Sequence, residues 1–192
     1  MLSSGEAMVD KAYEELKNRM EKSLNALARD FSRIRTGRAS PALLEGIKVD
    51  YYGVPTPLNQ VATISIPESR LMVIQPWDVN LISEIERVIL KSELGLTPLN
   101  DGKIIRISIP PLTEERRKEL TRVVKKMAEE YKVGLRSTRR DANEALKRLK
   151  KNKEIPEDEF YKSQDQVQKI TNDYIEKVDV IYKEKEKEIL EF

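Results

Sequence analysis

Residues 109–151 read IPPLTEERRKELTRVVKKMAEEYKVGLRSTRRDANEALKRLKK, and the fold turns on how they are read. After the pair Pro110-Pro111, Thr113 is placed to cap a helix, and Glu114 and Glu115 fill a first turn where they suit the positive end of its dipole. From there Leu120, Val124, Met127, Tyr131, Leu135, Thr138, Ala142, Ala145 and Leu149 recur at spacings of three and four. A helix of roughly 37 residues measures about 55 Å. That is too long for a compact globule.

Two further runs flank it. Downstream, Asn152–Ile155 make a turn of a few residues, and Pro156 suits a first helical position with Glu157 and Asp158 behind it. The run continues through Phe160, Val167, Ile170, Tyr174, Val178, Ile181 and Ile189, about 34 residues or ~50 Å. Upstream, Val9, Tyr13, Leu16, Met20, Leu24, Leu27 and Phe31 define a third helix from about Glu6 to Phe31, ~37 Å long. One apolar stripe per helix and so short a turn imply a long antiparallel three-helix bundle around a single seam, built from 1–30 and 106–192.

The sequence between changes character. IKVDYY, VATISI, LMVIQP and KIIRISI are short, β-branched and aromatic, bounded by Gly53, Pro55, Pro57, Pro67 and the turn-like PLNDG of Pro98–Gly102. Val79–Glu93 reads as one helix closed by Gly95. Residues 31–105 are therefore expected to form an inserted β/α/β domain, giving an α+β, two-domain chain. The polypeptide must cross between domains twice, near 30–34 and 106–110. Paired crossings suggest a hinge at Phe31, Ser32, Arg33, Ile109 and Pro110, with a rigid junction as the alternative.

Composition narrows the function. The chain has 192 residues, 35% charged and 6% aromatic, with no Cys and no His. Disulfides, thiol catalysis and Cys- or His-based metal sites are thereby excluded, and only carboxylate, Lys or Tyr chemistry remains for an enzyme. No apolar run approaches the roughly 20 residues of a membrane span. MLSSGEAMVDK has no apolar stretch of signal-peptide type, so the expected address is cytoplasmic. A net charge of +2 conceals a separation: 106–153 hold 16 basic and 7 acidic side chains, while 154–192 hold 6 and 12. Such asymmetry speaks to partners and to which helices lie side by side.

The basic excess has an address. Arg136, Arg139, Arg140, Asn143 and Lys147 fall within roughly 100° of one helix face, away from the stripe of Leu135, Thr138, Ala142, Ala145 and Leu149. A charged solvent face is the plain reading. Arginine at three of five positions, with an acid four residues on only for Arg140 (Glu144), favours a phosphate-gripping face instead. A second basic group, Arg33, Arg35 and Arg38, lies where the first helix ends, among Gly37 and Pro41; it lacks the spacing of a nucleotide-binding loop. YYGVPTPL, 51–58, reads equally as an edge-strand turn or as an exposed binding element. Two rival classes stand beside RNA binding. One is a coiled-coil adaptor that self-associates; the other is a hydrolase using Asp165 and Asp173, for which no supporting constellation exists.

RTGRASP, YYGVPTPL, PPLTEERRKEL, RSTRRDAN and QDQVQKITNDYIEK match, in order and spacing, the bacterial ribosome recycling factor family, a resemblance running from Val9 to the terminal LEF. It implies an L-shaped molecule, a long three-helix bundle with an inserted β/α/β domain. From composition and the single bundle, the chain is expected to be a monomer without cofactor, metal or membrane partner, and without catalysis of its own. A protein of that family acts on the post-termination ribosome with elongation factor G and GTP to split it into subunits. By the resemblance, ribosomal-RNA contacts fall on Arg136, Arg139 and Arg140 in the bundle and on Arg35 and Arg38 near the junction. Met1–Ala7 reach past the usual start of such chains, and disorder is one reading of them.

Overall fold

The structure, a computed structural model, describes residues 4–191. Four helices, α1 (Ser4–Ser32), α2 (Ile82–Lys91), α3 (Glu114–Lys151) and α4 (Glu157–Leu190), accompany six strands. The strands are β1 (Lys48–Tyr51), β2 (Val54–Pro57), β3 (Ala62–Glu68), β4 (Leu71–Pro76), β5 (Pro98–Asn100) and β6 (Ile105–Ser108). The chain divides into two compact units. A helical unit holds the residues up to Phe31 with Glu119–Lys187, and an α/β unit holds Ser32–Lys118 with the residues from Glu188 on. These divisions differ from the 30/31 and 105/106 read from sequence. Residues 106–118 and the end of α4 associate with the α/β unit instead.

In the helical unit each helix turns one stripe inward. Val9, Leu16, Met20, Leu27 and Phe31 of α1 are buried, as are Leu120, Val124, Ala128, Leu135, Thr138 and Leu146 of α3. From α4 come Phe160, Val167, Ile170, Tyr174 and Val178. Polar ties fix the register. Arg19 meets Asp141 at 2.7 Å, the Tyr131 hydroxyl donates to Asp30 at 2.6 Å, and the Tyr174 hydroxyl donates to Glu21 at 2.9 Å. Lys132 lies 2.5 Å from Asp179. Partners on α1 and α3 run in opposite directions, so α3 is antiparallel to α1, and the turn into α4 reverses the chain again.

Both termini of α3 have identifiable causes. Thr113 caps as expected: its side-chain oxygen accepts from Arg116 N–H at 3.2 Å, and its carbonyl from Arg117 N–H at 3.0 Å. At the other end Lys153 N–H donates to the Lys150 carbonyl and Glu154 N–H to that of Leu149, closing the helix with Lys153 in the left-handed region at φ 59°. A non-glycine residue there carries a steric cost of about 1 kcal/mol. Pro156 precedes the first turn of α4, and its carbonyl accepts from Phe160 N–H at 3.1 Å. At the amino end α1 already includes Ser4–Ala7, which corrects the disordered reading for those four; Met1–Ser3 lie outside the described residues.

The α/β unit contains an antiparallel hairpin, β1-β2, and a four-stranded antiparallel sheet in the order β3-β4-β6-β5. Met72, Ile74, Ile105 and Ile107 of the two central strands are fully buried with Ile85 and Ile89 of α2, and form its core. Val79–Leu81 form a single 3-10 turn ahead of α2, capped by the Asp78 carboxylate. Two strands were not expected. VPTP of β2 and PLN of β5 contain prolines, which argue against a central strand; β5 is an edge and β2 belongs to a two-stranded ribbon, where a missing N–H is tolerated.

Candidate nucleic-acid interface

Counting 100° per residue from the buried Leu135 and Leu146, Arg139 and Asn143 fall at the margin of the α3 seam, while Arg136, Lys147 and Arg140 lie progressively further round. Burial follows this order. Arg136, Arg140 and Lys147 are exposed, whereas Arg139 and Asn143 are partly buried. The wholly solvent-facing sector read from sequence is thus corrected at two of its five positions. Leu146, which the sequence stripe skipped in favour of Leu149, is completely buried and draws its neighbours inward.

The nearby acids are committed elsewhere. Asp141 takes the Arg19 guanidinium of α1, and Glu144 accepts from Lys147 at 2.7 Å rather than from Arg140. Among the described residues, no hydrogen bond or ion pair engages Arg136 or Arg140. Their positive charge therefore stays uncompensated by near neighbours, while that of Lys147 is partly offset. Arg139 behaves differently: its Nη1 donates to Gln168 Oε1 of α4 at 3.0 Å, and Gln168 Nε2 donates in turn to Asn172 Oδ1 at 2.8 Å. The Asn143 carboxamide oxygen is buried with no hydrogen-bond partner among the described residues.

The helices of this unit are tied by groups that titrate far from neutrality. The hydrogen bond to Asp30, reinforced by burial, pushes the Tyr131 hydroxyl up to about 12. Burial and then the bond to Glu21 push Tyr174 up to about 12. Asp179, ahead of Glu129, raises the Lys132 ammonium. All three shifts run away from neutrality, so these ties stay in place across physiological pH.

In the α/β unit the second basic group sits on a tightly anchored loop. Thr36 is buried and donates to Glu188 Oε1 at 2.6 Å. Gly37 has φ 78°, and a Cβ there would meet the Leu112 backbone nitrogen at 3.3 Å, so both conformation and space call for glycine. Ala39 N–H donates to the Ser69 carbonyl at 2.8 Å, and Ser40 caps the short 3-10 helix Pro41–Leu44. Burial thus alternates with exposure along the loop, and Arg33, Arg35 and Arg38 are the exposed members. Phe31 is buried at the end of α1. Ile109 is buried in the core of the α/β unit, and its N–H donates to the Arg70 carbonyl at 2.8 Å; Pro110 beside it is exposed.

The YYGVPTPL segment resolves into the tip of the β1-β2 hairpin. Tyr52 at φ 50° and Gly53 at φ 81° make the turn, and Gly53 N–H donates to Asp50 Oδ1 at 2.6 Å. The Tyr52 ring is 81% exposed. Asp165 and Asp173 are both exposed on α4, and among the described residues no group of three or more carboxylates converges as a metal site. Sequence reasoning did not single out Thr36, Gln168, Asn172 or Glu188. Thr36 and Glu188 are 152 residues apart and Gln168 is 29 from Arg139, so no local spacing announces them; Asn172, four residues from Gln168, matters only through that distant tie.

Comparison with known proteins points one way. A family model described as ribosome recycling factor matches residues 27–190. The ribosome-recycling factor of Syntrophus aciditrophicus is 62% identical over 184 residues, covering 96% of this chain and all of that one. That of Desulfatibacillum aliphaticivorans is 59% identical over 185 residues, with the same coverage. A solution structure of a ribosome recycling factor superimposes with a TM-score of 0.76 at 40% identity, covering both chains fully. A second neighbour has a TM-score of 0.66 at 47% identity and covers 95% of this chain and 98% of its own. It belongs to models for the T. thermophilus ribosome recycling factor and the E. coli elongation factor G bound to the E. coli post-termination complex.

Proposed function

The chain belongs to the ribosome recycling factor family, and from that membership we propose that it binds the post-termination ribosome and, with elongation factor G and GTP, separates it into subunits. In this reading it works in the cytoplasm as a monomer and catalyses nothing itself; the energy comes from the partner's GTP. Among the described residues no helix is long and apolar enough to cross a membrane. The apolar stripes of α1, α3 and α4 are accounted for by burial within one chain, which disfavours the self-associating adaptor.

The observation that carries the reading is the open guanidinium pair of Arg136 and Arg140, with Asp141 and Glu144 turned to other cations. A planar guanidinium free of an internal carboxylate can take a phosphate with two donors, and A-form RNA is bound through backbone and shape. We assign ribosomal-RNA contacts to Arg136, Arg139, Arg140, Asn143 and Lys147 on α3, and to Arg35 and Arg38 on the anchored loop. We place the pivot at Phe31, Ser32 and Arg33 and at Ile109 and Pro110. α1 ends at Ser32 and α3 begins at Glu114, so Phe31 and Ser32 lie in the last turn of a helix and the other three outside any helix, where a change of backbone angles costs at most a terminal turn.

The test is a splitting assay with post-termination ribosomes, elongation factor G and GTP. Subunits should accumulate only when this protein is present. Its affinity for the large subunit should fall steeply with salt, because each neutralised phosphate releases counterions. A flat salt profile, or splitting at full rate without the protein, would overturn the proposal.

A further inference from the structure

Of the three arginines on the α3 face, one has a tether. Arg139 reaches across to α4, where Gln168 accepts from Nη1 and is itself fixed by Asn172. The second bond decides the function of the first. A carboxamide can rotate to present either its oxygen or its nitrogen; because Gln168 donates through Nε2 to Asn172 Oδ1, its oxygen is the end turned to Arg139. A neutral acceptor leaves the guanidinium charge intact, and a single acceptor occupies only one of five N–H donors. Nε–H and Nη2–H have no recorded partner among the described residues, and they form the edge suited to gripping a phosphate with two parallel bonds.

We propose that Gln168 and Asn172 are positioning residues for Arg139, a neutral relay on α4 that holds the guanidinium with its Nε/Nη2 edge free for a ribosomal-RNA phosphate. The proposal rests on the RNA-binding reading of the α3 face. Arg136 and Arg140 have no such support, so they must lose rotamer freedom when they bind. Arg139 has lost much of it already, which is the physical meaning of preorganisation. The partly buried place of Arg139 serves the same end.

Binding to isolated large ribosomal subunits should be measured for the wild type, Arg139→Ala, Gln168→Ala, Asn172→Ala and the Arg139→Ala/Gln168→Ala pair. Alanine suits an exposed helical position, and Gln168 and Asn172 are both exposed, so these variants should keep the helical signal. Gln168→Ala should weaken binding about three- to tenfold, the range for immobilising one long side chain, and Asn172→Ala by less. In the Arg139→Ala background Gln168→Ala should change nothing beyond about twofold. The salt slope separates positioning from contact: it should drop by about one for Arg139→Ala and stay unchanged for Gln168→Ala. Unchanged or tighter binding of Gln168→Ala, or an undiminished effect in the Arg139→Ala background, would overturn the relay while leaving the RNA reading in place. No loss for Arg139→Ala would remove Arg139 from the interface and overturn the relay with it, while the RNA reading would stand or fall with Arg136 and Arg140.

Discussion

The two units are stabilised in different ways. The α/β unit closes a compact apolar cluster, with Met72, Ile74, Ile85, Ile89, Ile105 and Ile107 fully excluded from water. The helical unit has a seam one side chain wide, and its register is set by polar ties such as Tyr131 to Asp30, Tyr174 to Glu21 and Lys132 to Asp179. An apolar cluster carries no titrating group and does not respond to pH, whereas a seam laced with phenol–carboxylate bonds does. The first unit is thus governed by volume and the second additionally by protonation.

The largest effects should come from volume. Ile74→Ala in the α/β unit and Leu135→Ala in the helical unit each remove a fully buried side chain and should cost about 2–5 kcal/mol. Trp77, the single tryptophan, belongs to the α/β unit, while most of the helical signal comes from α1, α3 and α4. Tryptophan fluorescence should report the first substitution and far-ultraviolet ellipticity the second. Equal shifts of both signals in both variants would show that the units melt as one.

Next come the arginines. Arg136→Ala and Arg140→Ala should each weaken binding to large ribosomal subunits by about 1–3 kcal/mol through loss of a charge-assisted phosphate contact, with no change in melting temperature. The α/β unit supplies the contrast, since Arg35 is also exposed and without a recorded partner among the described residues. A variant that binds normally would remove its residue from the interface.

Protonation separates the units further. The phenols of Tyr131, Tyr174 and Tyr182 are pushed up to about 12 from 10, the last mainly by its bond to Glu186. A group that holds its proton more tightly when folded stabilises the fold fully below its unfolded value and loses that contribution as pH rises through the folded one. Helical stability should therefore fall between pH 10 and about 12. In Tyr131→Phe, which lacks one hydrogen bond to a carboxylate, stability at neutral pH should drop by about 1–2 kcal/mol and the alkaline loss should shrink. Alkaline titration followed by ellipticity checks both, and a helical signal flat to pH 12 would contradict them.

The smallest effects sit at turns. Lys153 and Tyr52 both occupy the left-handed region, one in each unit. Replacing Lys153 by Gly should raise helical stability by up to about 1 kcal/mol, less the entropy glycine adds to the unfolded chain. Thermal melting reads the sign, and destabilisation would mean that the lysine side chain contributes more than its backbone costs.

The helices and their inward faces were legible because periodicity is local. Leu120, Val124, Leu135 and Thr138 are buried as their spacing predicts. Ala128 and Leu146 were not legible: over a helix this long the seam drifts relative to a fixed residue spacing, and it reaches them in preference to Met127 and Leu149. Strands β2 and β5 were hidden by their prolines, which local propensity penalises and an edge position forgives. Arg136, Arg140 and Lys147 are exposed as the sequence reading of the arginine face expects, but Arg139 and Asn143 are partly buried. The ties from Arg139 to Gln168 and from Thr36 to Glu188 depend on how distant stretches are brought together, and no window of sequence contains both ends.

The Thr36–Glu188 bond has a consequence for the order of events when the chain folds. Strand partners in the α/β unit lie at most 37 residues apart along the polypeptide, as for Leu71 and Ser108, but this bond joins residues 152 positions apart. Contacts of such separation are formed late, since the intervening chain must be ordered first. Thr36–Ser40 should therefore be the last stretch of the unit to gain amide protection in refolding, and the first to surrender it on heating.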